Sequence, residues 1–235
     1  MKCKSFTMPS PIIDIRNVGL KREGRVILDD VNFCVDRGDF IAVTGPNGGG
    51  KTTLLRVMLK LIAPTQGSVI YRGADGEPIS RLNIGYLPQK NLIDSKFPIT
   101  VEEVVATGLL SVKGLSRDER NRRVSETLEE IQMLDRREAP IGEISGGQLQ
   151  RTLLGRAIIS RPDVLMLDEP LSYLDRHFVD ETHELLARLA QRTTIVLVSH
   201  ELSGISQMAN RHLIVDRKVS ICHSHNHIVP PPCEV

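Results

Sequence analysis

A chain of 235 residues, 40% hydrophobic and 25% charged, is long enough for one large domain or a core domain with a small insert. Its ordinary composition excludes a disulfide-held miniprotein, a fibre and a disordered segment. Thirty Lys and Arg stand against 29 Asp and Glu, a formal charge of +1, and aromatic residues make up 3% with no Trp; without a global positive field or stacking platforms, no nucleic-acid partner is expected.

Met1 to Pro9 starts basic but lacks the apolar stretch of a secretory signal. Ile12 to Val18, then Val31, Phe33 and Val35 alternating with polar neighbours, then Phe40 to Val43 predict short strands separated by turns. A helix is predicted from Lys51 to about Leu61, stopped by Pro64, with strands following at Ser68 to Tyr71 and Ile84 to Leu87. The middle third is charged and helical in pattern. Thr100 with Glu103 and Ser116 with Glu119 have capping-box spacing, and Val124, Leu128, Ile131 and Leu134 form one apolar stripe. Residues 90–150 are therefore expected to be a helical insert. Strands then alternate with helices: Val164 to Leu167, Asp175 to Ala190, Thr194 to Val198, Leu202 to Ala209, Leu213 to Val215. Such alternation implies an α/β fold with a parallel sheet covered on both faces. The pattern stops after Ile221, so Cys222 to Val235 is expected to be a tail, with polyproline character around Pro230 to Pro232.

No apolar run approaches the roughly 20 residues that cross a bilayer; Val164 to Leu167 and Ile195 to Val198 are of buried-strand length. Cys3, Cys34, Cys222 and Cys233 show no CxxC spacing, which fits a reduced compartment, and Cys34 is expected in the core. A cytoplasmic location follows as an expectation.

Gly45-Pro46-Asn47-Gly48-Gly49-Gly50-Lys51-Thr52 has the form G-x-x-x-x-G-K-[ST], directly after an apolar strand and before a helical pattern, with Thr53 behind it. Glycines let successive N–H groups converge on phosphate oxygens, and the helix N-terminus adds partial positive charge. Lys51 would reach the β- and γ-phosphates, and Thr52 would offer a hydroxyl to Mg²⁺. A nucleoside triphosphate is the expected ligand. Val164-Leu-Met-Leu-Asp-Glu-Pro170 is an apolar strand ending in two carboxylates. Asp168 is placed to hold Mg²⁺ through water and Glu169 to polarise a water for attack on the γ-phosphate.

Ile144-Ser145-Gly146-Gly147-Gln148-Leu149-Gln150-Arg151 opens a helix ahead of that carboxylate strand and resembles the signature motif of the ABC ATPases. In chain order, Gln89 in Gly85-Tyr-Leu-Pro-Gln89 resembles the Q-loop of that family, Ser172-Tyr-Leu-Asp175 the D-loop and His200 the H-loop. The resemblance covers about residues 12–220. It implies a P-loop NTPase (RecA-like) core over residues 10–89 and 151–221, an N-terminal antiparallel β subdomain and the α-helical insert of residues 90–150. It also implies a head-to-tail dimer in which Ser145 and the amides of Gly146, Gly147 and Gln148 meet the γ-phosphate held by the other chain. Gln89 would sense Mg²⁺ and a membrane partner, His200 would hydrogen-bond the γ-phosphate, and Asp175 would shape the interface.

Two positions depart from the family. Where an aromatic residue usually stacks on adenine this chain has Arg22, whose guanidinium plane can also stack on a purine. The D-loop carries Tyr173 where a small residue is usual.

A single nucleotide-binding unit without a membrane span resembles the detached ATPase of an importer. Such a subunit works peripherally on the cytoplasmic membrane face under integral permease subunits, with an extracytoplasmic solute-binding protein acting indirectly. Gly85 to Val105, with Phe97-Pro-Ile-Thr-Val101 after the Q-loop, resembles the zinc and manganese importers. Iron-chelate and cobalamin importers share parts of it, so importers of other small solutes remain open, as does a soluble ABC ATPase. A P-loop kinase would leave Ser145 to Gln148 unexplained. The tail places His223, His225 and His227 beside Cys222, ligand types suited to Zn²⁺.

Overall fold

The first apolar run folds back on itself in a longer hairpin than the sequence pattern suggests. In the computed structural model, which describes residues 11–89, 94, 97–171, 176–200 and 205–222, β1 (Pro11–Arg22) pairs antiparallel with β2 (Arg25–Asp36). Glu23 and Gly24 turn the chain with φ of 50° and 76°, positive at both positions as a tight two-residue hairpin turn requires. β1 also pairs with β4 (Gln66–Arg72), and β4 with β5 (Pro78–Ile79), giving an antiparallel sheet of order β2-β1-β4-β5.

The second sheet has the order β10-β9-β3-β8-β7-β6. β3 (Phe40–Thr44), β6 (Ile84–Leu87), β7 (Val164–Asp168), β8 (Thr194–Val198) and β9 (Arg211–Asp216) run parallel. Every residue of β3, β7 and β8 is buried, so these strands read as continuous apolar runs without the alternation of a half-exposed sheet. Ile41, Val43, Met166 and Val196 pack on α1 (Lys51–Met58) and the antiparallel sheet. Phe40, Ala42, Leu165 and Leu197 face the opposite side, in one cluster with the helical insert.

The insert contains α2 (Val101–Ala106), α3 (Arg117–Glu130) and the start of α4 (Gly146–Ile158). Since α4 runs past residue 150, the insert and the core share a helix. Thr100 and Glu103 form the full capping box; Ser116 accepts from the Glu119 N–H, but Glu119 turns its carboxylate to Arg122 and Arg123. The apolar stripe ends early: Val124, Leu128 and Ile131 are buried, whereas Leu134 is 44% exposed because the helix has already stopped at Glu130.

Other elements are shorter or longer than expected. α1 ends at Met58, before Pro64, where Lys60 takes φ of 56°. α5 covers Arg176–Leu189 and α6 Ile205–Met208. Cys222 is not in a tail: it ends β10 (Lys218–Cys222), antiparallel to β9, because the turn at Asp216 and Arg217 lets the alternating Val219 and Ile221 continue the sheet. Cys34 is half-buried on β2 rather than in the core. Among the described residues no helix is long and apolar enough to cross a membrane.

Leu128 is fully buried where α3 meets the rest of the insert. Leu128→Ala is expected to lower stability by about 3 kcal/mol through lost burial and the cavity left behind, read as a lower urea midpoint with unchanged slope.

Candidate active site

The loop between β3 and α1 is held by backbone packing that leaves no room for side chains. A Cβ on Gly45 (φ 137°) would lie 2.0 Å from the Val215 carbonyl oxygen on β9, and one on Gly50 (φ 101°) 2.9 Å from that of Ile27 on β2. The Gly49 N–H donates to the Pro46 carbonyl, and the Gly49 carbonyl accepts from the Arg217 N–H in the β9–β10 turn. Lys51 is 7% exposed, and its Nζ donates to the carbonyls of Gly45 (2.8 Å) and Pro46 (2.9 Å). Burial draws its pKa down from 10.5, opposed by the nearby charges of Glu169 and Asp168. α1 has no side-chain cap and no acid in its first turn, so no such group competes with an anion for its leading N–H groups.

The carboxyl end of β7 faces this loop. Thr52 Oγ1 donates to Asp168 Oδ1 at 3.1 Å. Asp168 Oδ2 is buried with no hydrogen-bond partner among the described residues. Burial raises the Asp168 pKa from 3.8; the Thr52 hydroxyl counters this and Glu169 adds to it. An orphaned carboxylate oxygen beside a hydroxyl is a donor set that suits Mg²⁺. Glu169 sits in the left-handed region at φ 55°, its N–H bound to the Val198 carbonyl at 3.0 Å, a conformation costing a non-glycine residue on the order of 1 kcal/mol. His200 Nε2 lies 3.0 Å from Glu169 Oε1.

A cavity of about 270 Å³ gathers Asn47, Gly48, Gly50, Lys51, Thr52, Thr53, Gln89, Glu169 and His200. Gln89, exposed at the end of the segment after β6, thus reaches the phosphate loop across the sheet. A second cavity of about 490 Å³, lined by Leu20, Lys21, Arg22, Arg56, Leu61 and Ile62, adjoins it through the shared Ile27 and Thr53. Arg22 therefore lies beside the phosphate site, exposed and opposite Arg25 on the hairpin.

Ser145 to Gln148 stand elsewhere, at the start of α4, and do not line either cavity. Ser145 Oγ accepts from the Gln148 N–H at 3.2 Å while Gln148 Oε1 accepts from the Ser145 N–H at 2.9 Å. This capping box has the same spacing as the one at Thr100 but ends in Gln. Asp175, Tyr173, His223, His225 and His227 lie outside the described residues. Cys222 faces His212 across β9–β10, and His212 Nε2 is 2.8 Å from Thr44 Oγ1, directly below the loop.

Sequence reasoning missed the carbonyl of Val215 and the N–H of Arg217 as supports of the loop. They act through the backbone, and their only local signal is a two-residue break, Asp216-Arg217, between alternating runs. The raised pKa of Asp168 means that ionisation destabilises the ligand-free fold as pH rises above 3.8, whereas the neutral form carries no such cost. Asp168→Asn is accordingly expected to melt higher than the parent at pH 7 without Mg²⁺, with the gap narrowing as pH falls towards 3.8, measured by differential scanning calorimetry across pH.

Residues 28–172 match the family model described as ABC transporter. Over 215 residues the chain is 36% identical to the zinc uptake system ATP-binding protein ZurA of Listeria innocua, covering 88% of this chain and 84% of that protein. It is 34% identical over 211 residues to the zinc import ATP-binding protein ZnuC of Pasteurella multocida, covering 89% and 74%. Among solved structures, the ATP-binding cassette MJ0796, in a dimeric post-hydrolysis state bound to ADP and Pi, superposes with a TM-score of 0.75 at 26% identity over 88% of this chain and 96% of that one. The chain belongs to the ABC transporter family, as one of its ATP-binding ATPases.

Proposed function

We propose that this chain is the ATP-hydrolysing subunit of an importer for zinc, working as a head-to-tail dimer under integral membrane permease subunits. The zinc assignment is supported by the relatives named for zinc uptake and zinc import and by the post-Q-loop segment Phe97 to Val101. The observation that carries the motor assignment is the split site: Lys51, Thr52, Gln89, Glu169 and His200 share one cavity, while the N-terminus of α4 at Ser145 lies outside it. A second copy would bring its own Ser145 to the open side. Residues 10–221 form the ATPase domain in this reading. The subunit sits peripherally on the cytoplasmic membrane face, and an extracytoplasmic solute-binding protein delivers the cargo to the permease.

Each side chain then has a role its bonding permits. Lys51 spends two of its three ammonium protons on Gly45 and Pro46, which leaves the third for a phosphate oxygen. Thr52, Asp168 and Gln89 would hold Mg²⁺, which when bound neutralises charge on the β- and γ-phosphate oxygens. Glu169 takes the proton of the attacking water, and His200, on its Oε1 side, orients the carboxylate and reaches the γ-phosphate. The Ser145 hydroxyl accepts from the Gln148 N–H and keeps its own proton to donate across the dimer. Asp175 shapes that interface. Arg22 lays its guanidinium plane on the adenine in the adjoining cavity.

Glu169→Gln keeps the shape and the Mg²⁺ ligands but removes the base. It is expected to bind ATP, to hydrolyse it at least about a hundredfold more slowly, and to elute as an ATP-dependent dimer on size-exclusion chromatography. A variant that stays monomeric at saturating ATP, or turns over at the parental rate, contradicts the assignment.

We further propose that Cys222, His223, His225 and His227 bind Zn²⁺ with modest affinity and adjust transport. Three imidazoles and a thiol within six residues supply suitable ligands, and proton competition weakens binding as pH falls through the imidazole range near 6.5. Calorimetric titration of Zn²⁺ into the full chain should reveal a site that is lost from a chain ending at Cys222, in which β10 is complete and ATP hydrolysis is retained. Equal zinc binding by both chains, or none by either, removes the tail site and leaves the import assignment to stand on the ATPase.

A further inference from the structure

The N-terminus of α4 must be held at a fixed angle to meet a phosphate on another chain, and one side chain outside the motifs supplies the contact. A Cβ added to Gly147 would fall 2.6 to 2.8 Å from three ring atoms of Phe178, so the ring presses directly on the backbone of the signature segment. One turn further along α4, the Arg151 guanidinium stacks over the same ring at 4.4 Å from its centroid. Arg151 also pairs with Glu181, three residues beyond Phe178 on α5, and donates to Gln132 Oε1 of the insert at 2.8 Å. Gln150 Nε2, between these contacts, donates to the Pro170 carbonyl at 2.9 Å, the residue after Glu169.

We propose that Phe178 is a positioning residue for the signature segment: its ring, clamped between Gly147 and Arg151, sets the orientation of the Gly146 and Gly147 amides and of the Ser145 hydroxyl towards the nucleotide of the second copy. The inference rests on the split-site reading above. Phe178 stands two residues into α5, which follows immediately on Asp175. The strand end bearing Glu169, the start of α5 and the signature helix are thereby coupled within one chain. Phe178 is only partly buried, so truncating it removes less apolar burial than truncating a fully buried core residue. A packing role alone predicts little beyond a small change in stability. A positioning role predicts a defect in dimer closure with nucleotide affinity intact, because the residues that bind ATP within the same chain lie in a different cavity.

The test introduces Phe178→Ala and Phe178→Tyr into the full-length Glu169→Gln chain. Two quantities are measured: ATP affinity of the monomer at low protein concentration with a fluorescent ATP analogue, and the ATP concentration at which half the chain elutes as dimer. Phe178→Ala is expected to raise the dimerisation midpoint about tenfold, the scale of a small misplacement of groups that must meet a phosphate. Monomer affinity should be unchanged and the melting temperature within about 4 °C of the parent, the shift of roughly 1 kcal/mol in a chain of this size. Phe178→Tyr, which keeps the ring, should dimerise like the parent. A parental midpoint for Phe178→Ala, or a parallel loss of monomer affinity, overturns the positioning role. Failure of the Glu169→Gln parent itself to dimerise overturns the split-site reading, and this inference with it.

Discussion

The structure depends on burying one ammonium and two carboxylates where β3 and β7 end. Lys51, Asp168 and Glu169 are each less than a tenth exposed. Desolvation is costly for each alone, and the arrangement is tolerable because Lys51 is bound by two carbonyls and Asp168 by the Thr52 hydroxyl. Compensation is incomplete: Asp168 keeps one buried oxygen without a partner among the described residues and a raised pKa. The charges of Lys51 and Arg56 act on Asp168 without cancelling its desolvation, so the pocket favours added positive charge, which a divalent cation would supply. The uncapped N-terminus of α1 favours the opposite sign, and both demands are met together by a metal-bound polyphosphate.

The loop can serve those charges only because the surrounding backbone fixes it. β9 closes over Gly45, β2 over Gly50, and the turn at Arg217 links the two, its N–H on Gly49 and its carbonyl on Asp29. The antiparallel sheet and the parallel sheet thus meet at the phosphate loop, which explains why the last strands of the chain are needed for a site whose motif lies in its first quarter. Tight packing of this kind passes small displacements on rather than absorbing them.

The second helix N-terminus, at Ser145, is built on different terms. It carries a reciprocal side-chain cap, and it is tied to α5 by Phe178, Arg151 and Glu181 and to the strand end by Gln150. One cradle rests on glycine backbone and a buried lysine; the other presents a serine hydroxyl and the Gly146 and Gly147 amides from a helix end with Ser145 and Gly146 exposed. They do not share a cavity within one chain, and this separation is what the proposed dimer exploits.

Much of this was legible locally. The phosphate motif, the two carboxylates ending an apolar strand, the buried strands and the cap at Thr100 depend on residues within one turn or one strand of each other, where spacing and side-chain type decide the outcome. The order of the motifs along the chain, joined to the family resemblance, carried the fold class and the ATPase assignment. What failed or was missed involves partners far apart in sequence or backbone atoms with no side-chain signature. Leu134 fitted a helical stripe, yet the helix ended before it; Cys222 looked like tail, yet β9 was waiting to pair with it. The pressure of Phe178 on Gly147 and the carbonyl of Val215 over Gly45 could come only from the tertiary structure, because periodicity records which face a residue occupies and is silent about what another element, distant along the chain, brings against that face.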